Sequence, residues 1–196
     1  MKNYFIKFAV FLILLNGSCF KYDECQQVGV PDATQDGSNR SGCIVNDVVV
    51  RPTRPMFFGQ APHRLTFEKD TGRVFISLRD TYVGSHDMEC GRPWAIDVRL
   101  AIYNVFDIGE YVKSDIYATV DIQSHAHNHP EEKHFRYRYR PYLEGLSASV
   151  EITRLDTNNR IISGIFAFEA YEEIDTDEFN QNEKIYVTNG VFDFKY

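Results

Sequence analysis

The chain has 196 residues, with 28 acidic against 21 basic side chains and a formal charge of −7. That balance argues against nucleic acid as a partner, because phosphate binding needs clustered positive charge. The length suits one domain with a real core, and the 14% aromatic content, mostly Phe and Tyr, favours β structure.

The N-terminus carries an address. Lys2 and Lys7 precede the wholly apolar run of residues 8–15, and Asn16-Gly17-Ser18-Cys19 closes it with small residues and a cysteine. This order is that of a bacterial secretory signal ending at a lipid-accepting cysteine. The apolar run falls well short of the roughly 20 residues that span a bilayer as a helix. The expectation is a signal peptide over 1–18, cleaved before Cys19, with acyl chains such as palmitate on that cysteine. Asn16 stands where a lipoprotein signal usually has a branched apolar residue. The alternative is therefore an ordinary signal peptide with Cys19 as a plain thiol. Loss of Lys2 and Lys7 with the signal would move the net charge to −9. A single acyl chain gives only marginal membrane binding, whereas two or three on one cysteine hold effectively permanently.

Residues 19–42 read as a flexible tether. The run from Val30 to Asn39 is polar, rich in turn-forming residues and without a hydrophobic period. If Cys19 is lipidated, Cys25, Cys43 and Cys90 remain, an odd number that cannot all pair. A Cys43–Cys90 bridge would close a long loop and contribute about 4 kcal/mol in the chain-entropy model. Cys25–Cys43 is the competing pairing, and no spacing of a zinc site is present.

From residue 43 to 196 the pattern is β throughout. Leu65 and Phe67, then Val74, Ile76 and Leu78, flank a hairpin turn at Asp70-Thr71-Gly72. Trp94, Ile96, Val98, Leu100 and Ile102 alternate with a wetter face, as do Ile116, Ala118, Val120 and Ile122. Four of the six histidines follow in one segment, and His125, His127 and His129 would share one side of an extended chain, as neighbouring metal ligands do. The bland reading of that segment is a solvated hairpin loop, since Asn128, Pro130 and the charges around them are loop residues.

Next, Phe135, Tyr137 and Tyr139 alternate with Arg136, Arg138 and Arg140. An arginine row can grip phosphates or acidic sugars. The preferred reading is a solvent face cross-paired to acids on the next strand, with the aromatics in the core. Ala148, Val150 and Ile152 lead to a turn at residues 156–159, and Ile162, Phe166, Phe168 and Ala170 follow. Glu172 to Glu178 read as a solvated acidic loop without the spacing of an EF-hand. In the final strand Ile185 and Val187 have opposite parity to Phe192, Phe194 and Tyr196. A bulge at Gly190 would bring both sets inward.

Two stretches carry a family resemblance. One is Ser41-Gly42-Cys43-Ile44-Val45-Asn46-Asp47. The other runs from Val150 to Asp156, through Ile162 to Phe168, and closes with Ile185 to Asp193. In these the chain resembles a family of uncharacterised lipoproteins from Bacteroidota-type bacteria, with Asp47 where that family commonly has Gly. The resemblance implies an all-β fold and an envelope address, and no activity.

Together these readings predict an antiparallel β-sandwich of about nine strands, with a closed or half-open barrel as the alternative. The functional expectation is a lipid-anchored cell-envelope protein at the outer membrane. Its membrane contact is the N-terminal lipid, and its β domain binds or presents a protein or glycan partner without catalysis or cofactor. No G-x-S-x-G, Walker, zincin or dinucleotide pattern occurs. The competing classes are an envelope or glycan-processing hydrolase with two converging carboxylates, and a metal-binding lipoprotein using His125, His127 and His129.

Overall fold

The computed structural model describes residues 29–52, 63–81, 95–124, 133–176 and 178–196. Among them run eleven strands in one antiparallel sheet: β1 Arg40–Val45, β2 Val48–Val50, β3 His63–Glu68, β4 Arg73–Thr81, β5 Ala95–Ile102, β6 Gly109–Val112, β7 Ile116–Ser124, β8 Lys133–Tyr139, β9 Ala148–Asp156, β10 Ile161–Asp175 and β11 Glu178–Lys195. The all-β expectation holds. Trp94, Cys90 and residues 125–132 lie outside the described residues.

The strands form where side chains alternate. In β4, Val74, Ile76 and Leu78 are buried while their neighbours are half-exposed. In β5, Ile96, Val98, Leu100 and Ile102 are buried. The β3–β4 hairpin turns through residues 69–72, as the Asp-Thr-Gly signal implied, with Gly72 at φ 61°. Between β1 and β2, Asn46 and Asp47 both take positive φ, 41° and 68°, and Val45 pairs directly with Val48. That is a two-residue turn with the twist a hairpin needs, and Asn and Asp tolerate the left-handed region best after glycine.

β10 organises the sheet. β11 runs along one side of it, from Ile161↔Lys195 to Asp175↔Glu178. The other side is shared: residues 161–168 pair with β9, while Tyr171 and Glu172 pair with β8. The sheet therefore forks. One branch carries β9 and β6, and the other carries β8, β7, β5, β4 and β3. The far branch folds back so that β3 and β4 meet β11 and the chain after β2. His63 meets Phe194 edge to face at 5.1 Å and Phe67 meets Tyr196 at 5.2 Å. The N–H of Arg51, beyond β2, donates to Asp80 of β4 at 2.8 Å.

β1 and β11, the first and last strands, do pair. This is not barrel closure, because the main path ends at β2 and β3, which share no ladder among the described residues. The open sheet favours the sandwich reading over the barrel.

The phase change in β11 is resolved by the expected bulge. Phe166 pairs with Gly190 and Phe168 with Val187, so Ala167 opposes both Thr188 and Asn189. The register against β1 slips at the same place. Ile185, Val187, Phe192 and Phe194 are consequently all buried. The left-handed residue is Asn189, at φ 51°, one place before the glycine. Gly190 serves another purpose: a Cβ there would sit 2.5 Å from the Phe166 ring and from its carbonyl. Gly164 mirrors it, pairing with Phe192 and lying beneath that ring. Two directly opposed glycine–phenylalanine pairs thus seat large rings on bare backbone.

Three readings need adjustment. There are eleven strands among the described residues rather than about nine, β6 being four residues with too little alternation to register. The acidic run from Glu172 is no loop, because β10 continues to Asp175 and Glu173 meets the β8 arginines Arg136 and Arg138. Ordered chain also reaches back before residue 43, since β1 starts at Arg40 and residues 34–38 lie hydrogen-bonded on the sheet.

Candidate functional site

The outer face of β4, β5, β7 and β8 is a lattice of charge. Register places Arg79, Asp97, Asp121 and Arg136 in one row across four strands. Two carboxylates directly opposite each other repel, and Arg99 bridges them, 2.6 Å from Asp97 and 3.7 Å from Asp121. Arg136 donates through Nε to Asp121 at 2.7 Å, His134 stands 3.4 Å from the same carboxylate, and Arg138 meets Glu173 of β10 at 2.8 Å. Hydrogen bonding to Asp97 and to Asp121 raises the pKa of Arg99 and Arg136 above the ordinary arginine value. The arginine row of β8 is therefore cross-paired to acids, as its alternation suggested. Tyr139 is fully buried on the opposite face, while Tyr137 packs against the core. Arg140 lies over the Tyr117 ring at 5.7 Å instead of on an acid.

A second feature was not foreseen. Asp193, on β11, is 1% exposed and makes no ion pair with a cation among the described residues. Its carboxylate accepts the hydroxyl of Ser163 and that of Thr34, each at 2.6 Å, and the N–H groups of Gly37 and Ser38 at 2.9 and 3.1 Å. The Ser38 hydroxyl and the Asp36 N–H complete the cage. Burial pushes this carboxyl up. The hydroxyls of Ser163 and Thr34 and the Ser38 N–H outweigh it and hold the group well below the usual carboxylate range. The N-terminal chain is thereby strapped across the outer face of β11 and β10.

Beside the strap runs a groove of about 580 Å³. Its wall is Val30–Ala33, its floor includes Ile165, Ala167 and Val191, and its rim includes Glu110 and Glu151, which face each other across the β6–β9 ladder. Ile165 is 40% exposed there, unusual for a residue of that type in mid-strand.

The sequence-derived site residues fall mostly elsewhere. Cys19, Cys25, Cys90, His125, His127 and His129 lie outside the described residues. Cys43 is a free, fully buried thiol in β1, and burial first and the Asp80 carboxylate second push its pKa up, so it is not a thiolate nucleophile. Among the described residues, no group of three or more His, Cys, Asp or Glu is placed to hold a metal ion, and no helix is long and apolar enough to cross a membrane. Asp193 escaped sequence reasoning because the order Phe-Asp-Phe reads as an outward polar residue on an alternating strand. No family model, curated protein or solved structure matches the chain.

Proposed function

We propose that the protein is a lipid-anchored component of the bacterial cell envelope, held at the outer membrane through Cys19, whose β domain binds or presents a partner rather than transforming one. The basic, apolar and small-residue-then-cysteine order of residues 1–19 supports the anchor. The observation that carries the reading is the strap. Chain between the attachment cysteine and β1 is fixed to the sheet by Asp193, so the domain would sit close to its anchor in a set orientation. From Gly29, ten further residues lead back to Cys19 and span at most about 35 Å when extended. The resemblance to Bacteroidota-type lipoproteins points the same way.

A hydrolase would use Glu110 and Glu151, which face each other beside the groove. Among the described residues the groove has no aromatic platform to stack a sugar: the one aromatic residue lining it, Phe166, is 4% exposed. That counts against a sugar in this groove, whether as substrate or as ligand.

The anchor is tested by metabolic labelling. Cells expressing the full chain and fed labelled palmitate are expected to incorporate label into the protein, and the Cys19→Ala variant is expected to incorporate none. Label retained by the variant, or missing from the wild type, overturns the anchor.

A further inference from the structure

We propose that the concavity on the outer face of β4, β5, β7 and β8 is a binding site for an oxyanion group (a carboxylate, sulfate or phosphate), with Arg79 as its principal ligand. The site is independent of the anchor and of the strap.

The concavity holds about 190 Å³ and is lined by Arg79, Ala95, Asp97, Arg99, Asp121, Gln123, His134 and Arg136. Its charges do not cancel. Asp97 is taken by Arg99 at 2.6 Å and by the Ser77 hydroxyl at 3.3 Å. Asp121 is taken by Arg136 at 2.7 Å, with His134 at 3.4 Å. Two carboxylates are thus satisfied by two guanidinium groups, and Arg79 is left over. It stands in the row opposite Asp97 but makes no ion pair with it, and its Nε is buried without a hydrogen-bond partner among the described residues. A buried donor with no acceptor is unfavourable unless something supplies one.

An oxyanion supplies it. The guanidinium presents its donors in a planar fork matched to two oxygens of a carboxylate, sulfate or phosphate. Arg99 and Arg136 lie on the same wall and add favourable field, while their bonds to Asp97 and Asp121 hold them in place. Gln123 offers a neutral amide donor at the edge. The volume suits one acidic group with the small residue that carries it, and no long polymer segment. Repulsion from Asp97 and Asp121 is reduced because their lone pairs already face arginine and histidine donors. A cation would find three guanidinium groups in its way, so the lining selects for negative charge.

Calorimetric titration of the full chain in detergent tests this, with sodium sulfate, sodium phosphate and sodium glucuronate each compared with sodium chloride at equal ionic strength. Saturable one-site binding is expected for at least one of the three and none for chloride. Sulfate or phosphate alone assigns the site to free tetrahedral anions, and glucuronate assigns it to acidic sugars; either supports the proposal. Arg79→Gln is expected to weaken binding at least tenfold, and Arg79→Lys, which keeps charge but loses the fork, by less. Arg138→Gln, outside the concavity, is expected to leave it unchanged. Circular dichroism shows whether each variant is folded, and should Arg79→Gln fail to fold, Arg79→Lys carries the comparison. The absence of saturable binding by any of the three anions overturns the proposal. So does an affinity that a folded Arg79 variant leaves unchanged.

Discussion

Replacing Asp193 by Asn is expected to destabilise the domain by about 3 kcal/mol and to lower its melting temperature by roughly 6–12 °C. The carboxylate lies in a cage of donors only: the hydroxyls of Thr34, Ser38 and Ser163 and the N–H groups of Asp36, Gly37 and Ser38. An amide keeps the shape but turns an NH₂ toward groups that can only donate or must reorient. Asp193→Ala goes further and removes the shared acceptor, leaving the buried Ser163 hydroxyl without one, so its loss is expected to be the larger, about 4 kcal/mol. Urea unfolding checks both values. Hydrogen exchange at residues 34–38 separates release of the strap from general loosening of the fold, because only the former exposes those amides while the β10–β11 ladder stays protected.

The same group gives stability a pH dependence. Its folded pKa is depressed below the usual carboxylate value of about 4. The stabilisation is thus fully present above that value and is lost as pH falls below it, since the unfolded chain then binds the proton first. Asp193→Asn should remove that portion of the acid sensitivity while leaving the slope near neutrality unchanged.

Gly164→Ala is the second large effect, at about 3 kcal/mol. The added methyl would lie 2.3 Å from the Glu151 carbonyl and 2.6 Å from the Phe192 ring. The ring can shift only into a packed core, and the carbonyl is fixed in the β9–β10 ladder. Gly29→Ala, with no atom within 4 Å of its Cβ, is the control and stays within about 0.5 kcal/mol. Denaturant midpoints of the two variants decide between them. Equal midpoints would mean that the close approach of Phe192 to bare backbone contributes nothing.

What the sequence could show depended on the range of the interactions involved. Alternation is local, so β3, β4, β5 and β7 were readable, as was the need for an extra residue near Gly190. The bulge itself shows the limit, because the left-handed position went to Asn189 while Gly190 was required by the ring of Phe166, a partner on another strand. The strap has no hydrophobic period to read, since it is ordered by polar bonds to a residue more than 150 positions away. Without that knowledge Asp193 looks like any solvent-facing residue between two phenylalanines. The β8 arginines could be expected to meet acids, but naming Asp121 and Glu173 required the register. The surplus charge of Arg79 emerges only when four strands are laid side by side.

The proposed attachment at Cys19 is the premise on which the strap would acquire an orienting role, and the intact mass of the protein extracted from membranes tests it most directly. The account predicts a mature chain that begins at Cys19, lacks residues 1–18 and carries the added mass of two or three acyl chains. An unlipidated chain, or one starting at another residue, would contradict it.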